Sequence, residues 1–387
     1  MTRVTRRALS TLTALVMVGT LFIGTPGPVR ATADHIYIGF NTYTSGGSCT
    51  DPDFTATGTA DSTEIANAVT ATNAGGTLHF CPGTYGINAT INLAGKLITL
   101  QGAAAATTIL DGGGTTRILT SSGAITVSNL TFDDGYTGHV GGAIYATATV
   151  TVTDSTFADN TAGYGGAIYS GTTATVTDST FTNNTATQAG AIWASGTATV
   201  TDSTFTGNTA NLFGAIRTTT ATVTGSTFTG NTANYYAGAI YATTVTATDS
   251  TFTNNDADYG GAILADNTAT VTASTFTRNS ATTDGGAILA NTGTIAGSRF
   301  TRNTAGGHGG AVHLWAPNSD NLQQLRRNTF TRNQAGVGGA ITLGSCGPAV
   351  SRSQVRSVER ANRFSANRAT QQRRTNNIES ETGYCGD

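Results

Sequence analysis

Two aspartates, Asp133 and Asp134, stand side by side, and one of the five histidines sits in Gly307-His308-Gly309. Carboxylates and imidazole trade protons near neutral pH, and a carboxyl pair is the usual machinery for cleaving a glycosidic bond. Such a pair must flank one bond, with its carboxyls within about 10 Å of each other. Here the acidic pair and the histidine are 174 residues apart. A second acidic set, Asp154, Asp178 and Asp202, recurs in step and offers the oxygen ligands that Ca2+ prefers. Gly225 and Ala273 hold the same slot further along, so turn-capping accounts for these aspartates. Arg278, Arg302 and Arg332 make a basic row in the later half of the chain. A lyase needs its acidic metal ligands and its base on one patch, and the two rows do not converge. His308 fills the position held by Tyr164 and Tyr259 in other copies of the same phrase, and reads as a variable loop residue. No catalytic constellation and no metal-ligand set is expected, and no cofactor beyond a weak Ca2+ candidate at the acidic row.

The elements that would position these residues are set by repetition. Phe157-Ala-Asp-Asn160 leads to Gly165-Gly-Ala-Ile168, and Phe181-Thr-Asn-Asn184 leads to Gly190-Ala-Ile192. The Ala of this phrase recurs at 143, 167, 191, 215, 239, 262, 287, 311 and 340, mostly at steps of 24 with one step of 29. A period in this range means a solenoid. Side-chain parity gives its cross-section. Val176 and Phe181 are separated by an odd number of residues, so one flat strand cannot bury both. The chain must bend at Asp178-Ser179, and again near Asn184, before Ile192 turns inward. Stacking in register at about 4.8 Å then aligns like with like. The result is a Phe ladder, an Ile ladder and an Asn ladder (Asn160, Asn184, Asn208 and onward). The fold expected is all-β: a right-handed parallel β-helix of about eleven coils, a rod on the order of 50 Å long.

The ends differ from the middle. Arg3, Arg6 and Arg7 precede an apolar stretch over 8–24, and Ala31-Thr-Ala33 supplies a small-residue cleavage site. Residues 1–33 therefore read as a signal peptide, with the paired arginines compatible with twin-arginine export. Residues 34–84 read as an N-terminal cap. Within it Asp61-Ser-Thr-Glu64 has the form of a capping box ahead of a short helix carrying Ile65, Ala68 and Val69. Residues 85–345 carry the repeats, and 346–387 read as one degenerate coil plus a C-terminal cap. The four cysteines flank the repeats, which suggests the pairs Cys49–Cys81 and Cys346–Cys385, each closing a cap. Net charge is −2 and only 11% of residues are charged, so no nucleic-acid partner is implied. The arginines from Arg352 to Arg374 make the tail locally basic. No later stretch is apolar enough to span a bilayer, so no membrane span is expected after cleavage of the signal.

The paired Phe-x-x-Asn and Gly-Gly-Ala-Ile phrases resemble the repeats of chlamydial polymorphic outer membrane proteins. They also resemble those of a wider set of secreted bacterial right-handed β-helix proteins with the pectin-lyase-like fold. Phe80-Cys-Pro-Gly-Thr-Tyr85 followed by Ile98-Thr-Leu-Gln-Gly102 resembles the opening segment of that set. The likeness spans about residues 75–345. It implies the fold more strongly than any activity. The superfamily includes pectate lyases and polygalacturonases, so a polysaccharide lyase or hydrolase is the implied alternative. Polygalacturonases, however, place Gly-His-Gly about one coil after the double Asp, and here the separation is seven coils. The polymorphic proteins end in a membrane β-barrel, whereas about 40 residues follow the last full repeat here, so transport through its own barrel is not expected.

Two surface rows remain. The residue after each inward Ile varies: Tyr145, Tyr169, Trp193, Arg217, Tyr241, Leu264, Leu289, His313, Thr342. Variation beside a fixed Ile implies an outward position, and the first half of the rod should show an aromatic stripe. Tyr164 and Tyr259, in the loops ahead of the same strand, extend it. Aromatic rings offer rigid area with a polar handle, so Tyr145, Tyr164, Tyr169, Trp193, Tyr241 and Tyr259 are the expected binding residues. Thr pairs such as Thr175/Thr177 and Thr199/Thr201 form a second outward array, resembling the Thr-x-Thr faces of ice-binding proteins. The reading that joins these features is a secreted, non-catalytic, adhesin-like β-helix, extracellular or associated with the cell surface. Its partners would be an extracellular glycan or a protein of the cell envelope.

Overall fold

The chain winds as three stacked parallel sheets of 20, 12 and 9 strands, and every pairing between successive coils is parallel. The computed structural model describes residues 33–40, 47–317, 319–344, 350–370 and 377–380, all within one unit from Thr32 onward. The expected signal peptide and the expected Cys346–Cys385 pair lie outside the described residues.

Each sheet buries one column. The 20-stranded sheet buries Ile144, Ile168, Ile192 and Ile216 on one arm, and Val152, Val176, Val200 and Val223 on the other. The 12-stranded sheet buries the Phe ladder, from Phe132 to Phe364, with ring centroids 4.9 to 5.1 Å apart at its two ends. The 9-stranded sheet buries small residues, Ala162, Ala186 and Ala210. The parity conflict between Val176 and Phe181 is resolved where it was expected, at a corner.

Each corner contains a residue in the left-handed region. Asp154, Asp178 and Asp202 have φ of 47°, 48° and 47°, and Gly225 and Ala273 continue the column at 60° and 51°. At the next corner Asp159, Asn183, Gly207 and Gly230 share their place with Arg278, Arg302 and Arg332, again at φ near 55°. Asn, Asp and Gly tolerate this conformation best, which explains why the acidic row alternates with Gly. The acidic and basic rows are thus two different corners of the coil, exposed and turn-forming. No group of three or more ligating side chains gathers at either row among the described residues.

Two polar ladders tie the corners. Asn184 Nδ2 donates to the Phe157 carbonyl at 3.0 Å and to Asn208 Oδ1 at 2.9 Å, while its own Oδ1 accepts from the backbone N and Nδ2 of Asn160. The same four bonds recur rung by rung as far as Asn333. A parallel ladder of Ser155, Ser179, Ser203, Ser226, Ser250, Ser274 and Ser298 also forms. Each backbone N–H bonds the hydroxyl of the next coil, until Asn328 takes over at Ser298.

At the N-terminus a strand over Ala33–Gly39 pairs with Thr72–Phe80, and helix α1 (Ser62–Ala71) lies between them in sequence. Ile65 and Ala68 of α1 are fully buried against the first coils. The capping box does not form. Asp61 turns its carboxylate instead to Thr57 N, Gly58 N and Gly86 N, pinning the preceding loop to the first coil. Cys49 and Cys81 are disulfide-bonded, as expected. Towards the other end, longer steps of 30 and 34 residues between ladder rungs accommodate α2 (Ser319–Gln324) and α3 (Arg352–Ala361). Phe364 and Asn367 return to their ladders, so the degenerate coil is present, but α3 inside this step was not expected. Arg352, Arg356, Arg360 and Arg363 are exposed on and just after α3.

Candidate functional site

The residues after the inward Ile and the loop residues before it line two walls of one shallow trough that follows the rod. The strand wall runs Tyr145, Tyr169, Trp193, Arg217, Tyr241, Leu264, Leu289, His313 and Thr342, paired rung to rung. The loop wall runs Val140, Tyr164, Gln188, then Phe213, Tyr236, Tyr259, Asp284, and finally His308 and Val337. A corner residue, such as Gly165 or Gly309, separates the walls. Both have φ near 60°, and a side chain there would strike the carbonyl of the following strand.

Along the first half the walls interlock. Tyr164 meets Trp193 edge-on at 5.3 Å, Phe213 stacks on Tyr241 at 4.3 Å, and Tyr236 lies 6.1 Å from Tyr241. The Arg217 guanidinium covers one face of Trp193 at 4.1 Å, and Arg117 lies over Tyr145 at 5.2 Å. The Tyr241 hydroxyl donates to Asp266 at 2.6 Å. Burial, followed by that hydrogen bond, pushes the Tyr241 phenol well above its usual range. Beside Arg117 the trough opens into a polar cleft of about 430 Å³ lined by Thr116, Tyr136 and Thr137.

The stripe is outward of the main core, as the variation implied, but it is not freely exposed. Tyr145, Tyr169, Trp193 and Tyr241 are half-buried, and Leu264 and Leu289 are buried with Tyr241, Tyr259 and Trp315 as a small second core. Rings stacked on their neighbours present edges and hydroxyls rather than faces. The freest rings are in the loops: Tyr136, Tyr164, Tyr235 and Tyr236 at 44%, 40%, 46% and 38% exposure.

At the far end the trough changes character. Asp284 and His308 are neighbours on the loop wall, and His313 faces them from the strand wall. His308 Nδ1 lies 2.9 Å from Asp284 Oδ1, and the His308 backbone N–H donates to the same oxygen at 2.8 Å. His313 Nδ1 is 3.6 Å from Asp284 Oδ2. Burial pushes the Asp284 carboxyl up, but the hydrogen bonds from His308 and the nearby His313 imidazole outweigh it and hold the group well below the carboxylate range. Trp315 closes the side, its ring perpendicular to His313 at 6.2 Å.

The coil period, the three sheets and the corner geometry define a right-handed solenoid. The family described as right-handed β-helix region matches residues 105–210 and 190–355. The chain belongs to this right-handed β-helix family. No curated protein matches it. Among solved structures, the catalytic unit of a thermostable GH87 α-1,3-glucanase from Streptomyces thermodiastaticus strain HF3-3 is similar at 16% identity. It aligns over 85% of this chain and 68% of that one, with a TM-score of 0.33. A likeness that distant carries no argument about activity.

In this β-helix the six expected binding residues share the trough, with Tyr164 on its rim and the other five set deeper. The Thr array also forms as expected: Thr175, Thr199, Thr222, Thr246 and Thr270 align in one column, Thr177, Thr201, Thr224, Thr248 and Thr272 in the next. Asp133 and Asp134 stay remote from His308, near the opposite end. Burial, then the neighbouring charges of Asp134, Asp111 and Asp159, raises the Asp133 carboxyl. Grouping Asp284 with His308 and His313 was missed. The signal was in the sequence: one loop position and one strand position turn to Asp and His on adjacent coils.

Proposed function

We propose that this β-helix is a secreted, non-catalytic binding rod that holds an extracellular glycan, in an adhesin-like role, through the rim of its aromatic trough. The observation that carries the reading is the clustering of free rings. Among the described residues, four of the six exposed large apolar side chains, Tyr136, Tyr164, Tyr235 and Tyr236, lie in the loops that lead to these corners. Tyrosine gives rigid contact area and a hydroxyl at little entropic cost, which suits sugar rings and polar protein surfaces alike. Export is supported by the apolar leader and by the Cys49–Cys81 bridge, which persists best in an oxidising compartment. Among the described residues no helix is long and apolar enough to cross a membrane. The resemblance to polymorphic outer membrane protein repeats fits a surface role.

The test is a glycan array and an envelope pull-down with wild type against a Tyr164→Ala/Tyr235→Ala/Tyr236→Ala variant. These rings are exposed, so the fold should survive their removal, whereas replacing Tyr145, Tyr169 and Trp193 would also disturb packing. Loss of retention by the triple variant is expected. Equal retention would rule out the trough, and depolymerisation of a polysaccharide by wild type would replace the reading with an enzymatic one. The paired Thr columns favour a second reading, ice binding, because they are in register on a regular sheet. Absence of thermal hysteresis and of ice shaping by the purified protein would remove it.

A further inference from the structure

We propose that Asp284, His308 and His313 form a binding site for one first-row divalent cation, Zn2+ foremost. Among the described residues this is the one group of three His, Cys, Asp or Glu side chains whose ligand atoms come together, all within 4.8 Å of one another. Two imidazoles and a carboxylate suit zinc and its neighbours, whereas Ca2+ and Mg2+ want oxygen ligands throughout.

The geometry is close to what the ion needs. Ligands around tetrahedral zinc at about 2.0–2.2 Å lie roughly 3.3–3.5 Å from one another. The His–Asp separations, 2.9 Å to Oδ1 and 3.6 Å to Oδ2, lie on either side of that value, and all the ligand atoms lie within 4.8 Å of one another. Each imidazole would coordinate through an unprotonated ring nitrogen, with its proton on the other nitrogen.

The backbone preorganises the cluster. His308 is fixed by its N–H on Asp284 Oδ1 and by its carbonyl, which accepts from Gly285 N at 2.9 Å. His313 is a strand residue paired with Leu289 on one side and Thr342 on the other. A site carried on two adjacent rungs of a solenoid is more rigid than one carried on an isolated loop. Leu289 and Trp315 wall the buried side. His313 is 2% exposed, Asp284 13% and His308 22%, so the cluster opens towards the trough on the His308 side. Three protein ligands with an open side leave the fourth position for water or for a donor atom of whatever the trough holds. The site stands independently of the glycan reading, since it uses none of the exposed tyrosines.

The experiment uses the untagged full chain, stripped with chelator and titrated with ZnCl2 by calorimetry. Co2+ serves as a spectroscopic substitute, and Mn2+, Ni2+ and Ca2+ as competitors. One equivalent of Zn2+ is expected to bind, and Co2+ to give the visible absorption of a four-coordinate N/O site. His313→Ala and Asp284→Ala should each weaken binding by about 100-fold or more, the upper end of what even outer-shell changes cost. The His308→Gln variant, at the most exposed of the three positions and with unchanged circular dichroism, guards against misfolding of the other two. His79→Ala, at the opposite cap, should bind as wild type does. No binding by wild type, Ca2+ binding in preference to Zn2+, or affinity unchanged in folded His308→Gln would each overturn the site.

Discussion

Replacing Asn231 tests whether the polar ladder, rather than apolar burial alone, holds the coils in register. The side chain is fully buried and makes four bonds. Its Nδ2 donates to the Phe205 carbonyl and to Asn255 Oδ1, and its Oδ1 accepts from Asn208 N and Asn208 Nδ2, all at 2.9–3.0 Å. In Asn231→Ala, Asn208 Nδ2 keeps its bond to Phe181 and Asn255 Oδ1 keeps the backbone N–H of residue 231. The Asn208 backbone N–H loses its ladder acceptor, and the Phe205 carbonyl loses its ladder donor. An unsatisfied buried polar group costs about 1–3 kcal/mol, so the variant should lose about 3–5 kcal/mol. Asn231→Asp is nearly isosteric yet should be worse at neutral pH. It still accepts from Asn208, but its second oxygen meets two acceptors where donation is required. Burial and the two facing acceptors raise that carboxyl above its unfolded value. Its stability is therefore fullest below about pH 4 and falls as pH rises through the folded pKa. The Asp variant should recover on acidification, relative to wild type, and the Ala variant should not. Urea unfolding gives the global change, and hydrogen exchange at residues 205–255 localises it, since repeat arrays can open in parts. A loss below about 1 kcal/mol for Asn231→Ala, or an Asp variant as mild as the Ala variant at pH 7, would refute the ladder's role.

Arg278, at φ of 54°, should be replaceable by Gly with little loss, whereas Arg278→Val should cost about 1–2 kcal/mol in thermal unfolding, because only backbone conformation is at stake there. Because Asp133 has a raised carboxyl, its contribution is complete below its unfolded value and is lost as pH rises through the folded one. Asp133→Asn should therefore raise the melting temperature at pH 7 more than at pH 3, and an equal shift at both would count against the electrostatic cause. His79 is lowered by burial and then by His35, whose ring nitrogen is 3.0 Å away, so protonation opposes the folded cap. The His79→Gln variant should unfold less readily than wild type as pH drops below about 6.5, read by exchange at Ile36 and Leu78. Arg217 shields one face of Trp193, so Arg217→Ala should increase quenching of its emission by iodide in a Trp315→Phe background.

The period, the parity of Val176 and Phe181, and the Asn row made the solenoid readable, because each of these features concerns one column repeated along an axis. The Ser ladder was harder to see. Ser155 and its relatives look like ordinary turn residues until the backbone shows each N–H reaching the hydroxyl one coil on. Asp61 shows the opposite failure. Its local pattern fits a capping box, but the tertiary alternative, three backbone N–H groups from the preceding loop and the first coil, outcompetes one helix cap. The α3 insertion left the ladder intact because a solenoid asks only that Phe364 and Asn367 return to their columns.

The hardest feature to read was the one that joins columns. Asp284, His308 and His313 lie on two walls and two adjoining rungs. Their separations of 24 and 5 residues suggest no motif unless the coil is closed in space. Asp284 and His308 meet because they are neighbours on the loop wall, and His313 faces them because Gly309 turns the chain. Comparing each column with itself made His308 a substitute for Tyr164 and Tyr259, which is where it does sit. What that comparison omits is the facing wall, where the aromatic residue has also become histidine. In a solenoid the columns that never vary, Phe and Asn here, hold the coil and are free of chemistry. Chemistry enters where two variable columns face each other across a corner and change together. That rule makes a sequence-level search feasible: align the coils first, then pair the residue before the Gly-Gly-Ala-Ile phrase with the residue after it on the same and adjoining rungs. Applied to this chain, it separates an aromatic half suited to contact from a single Asp–His–His group suited to a metal, within one continuous trough.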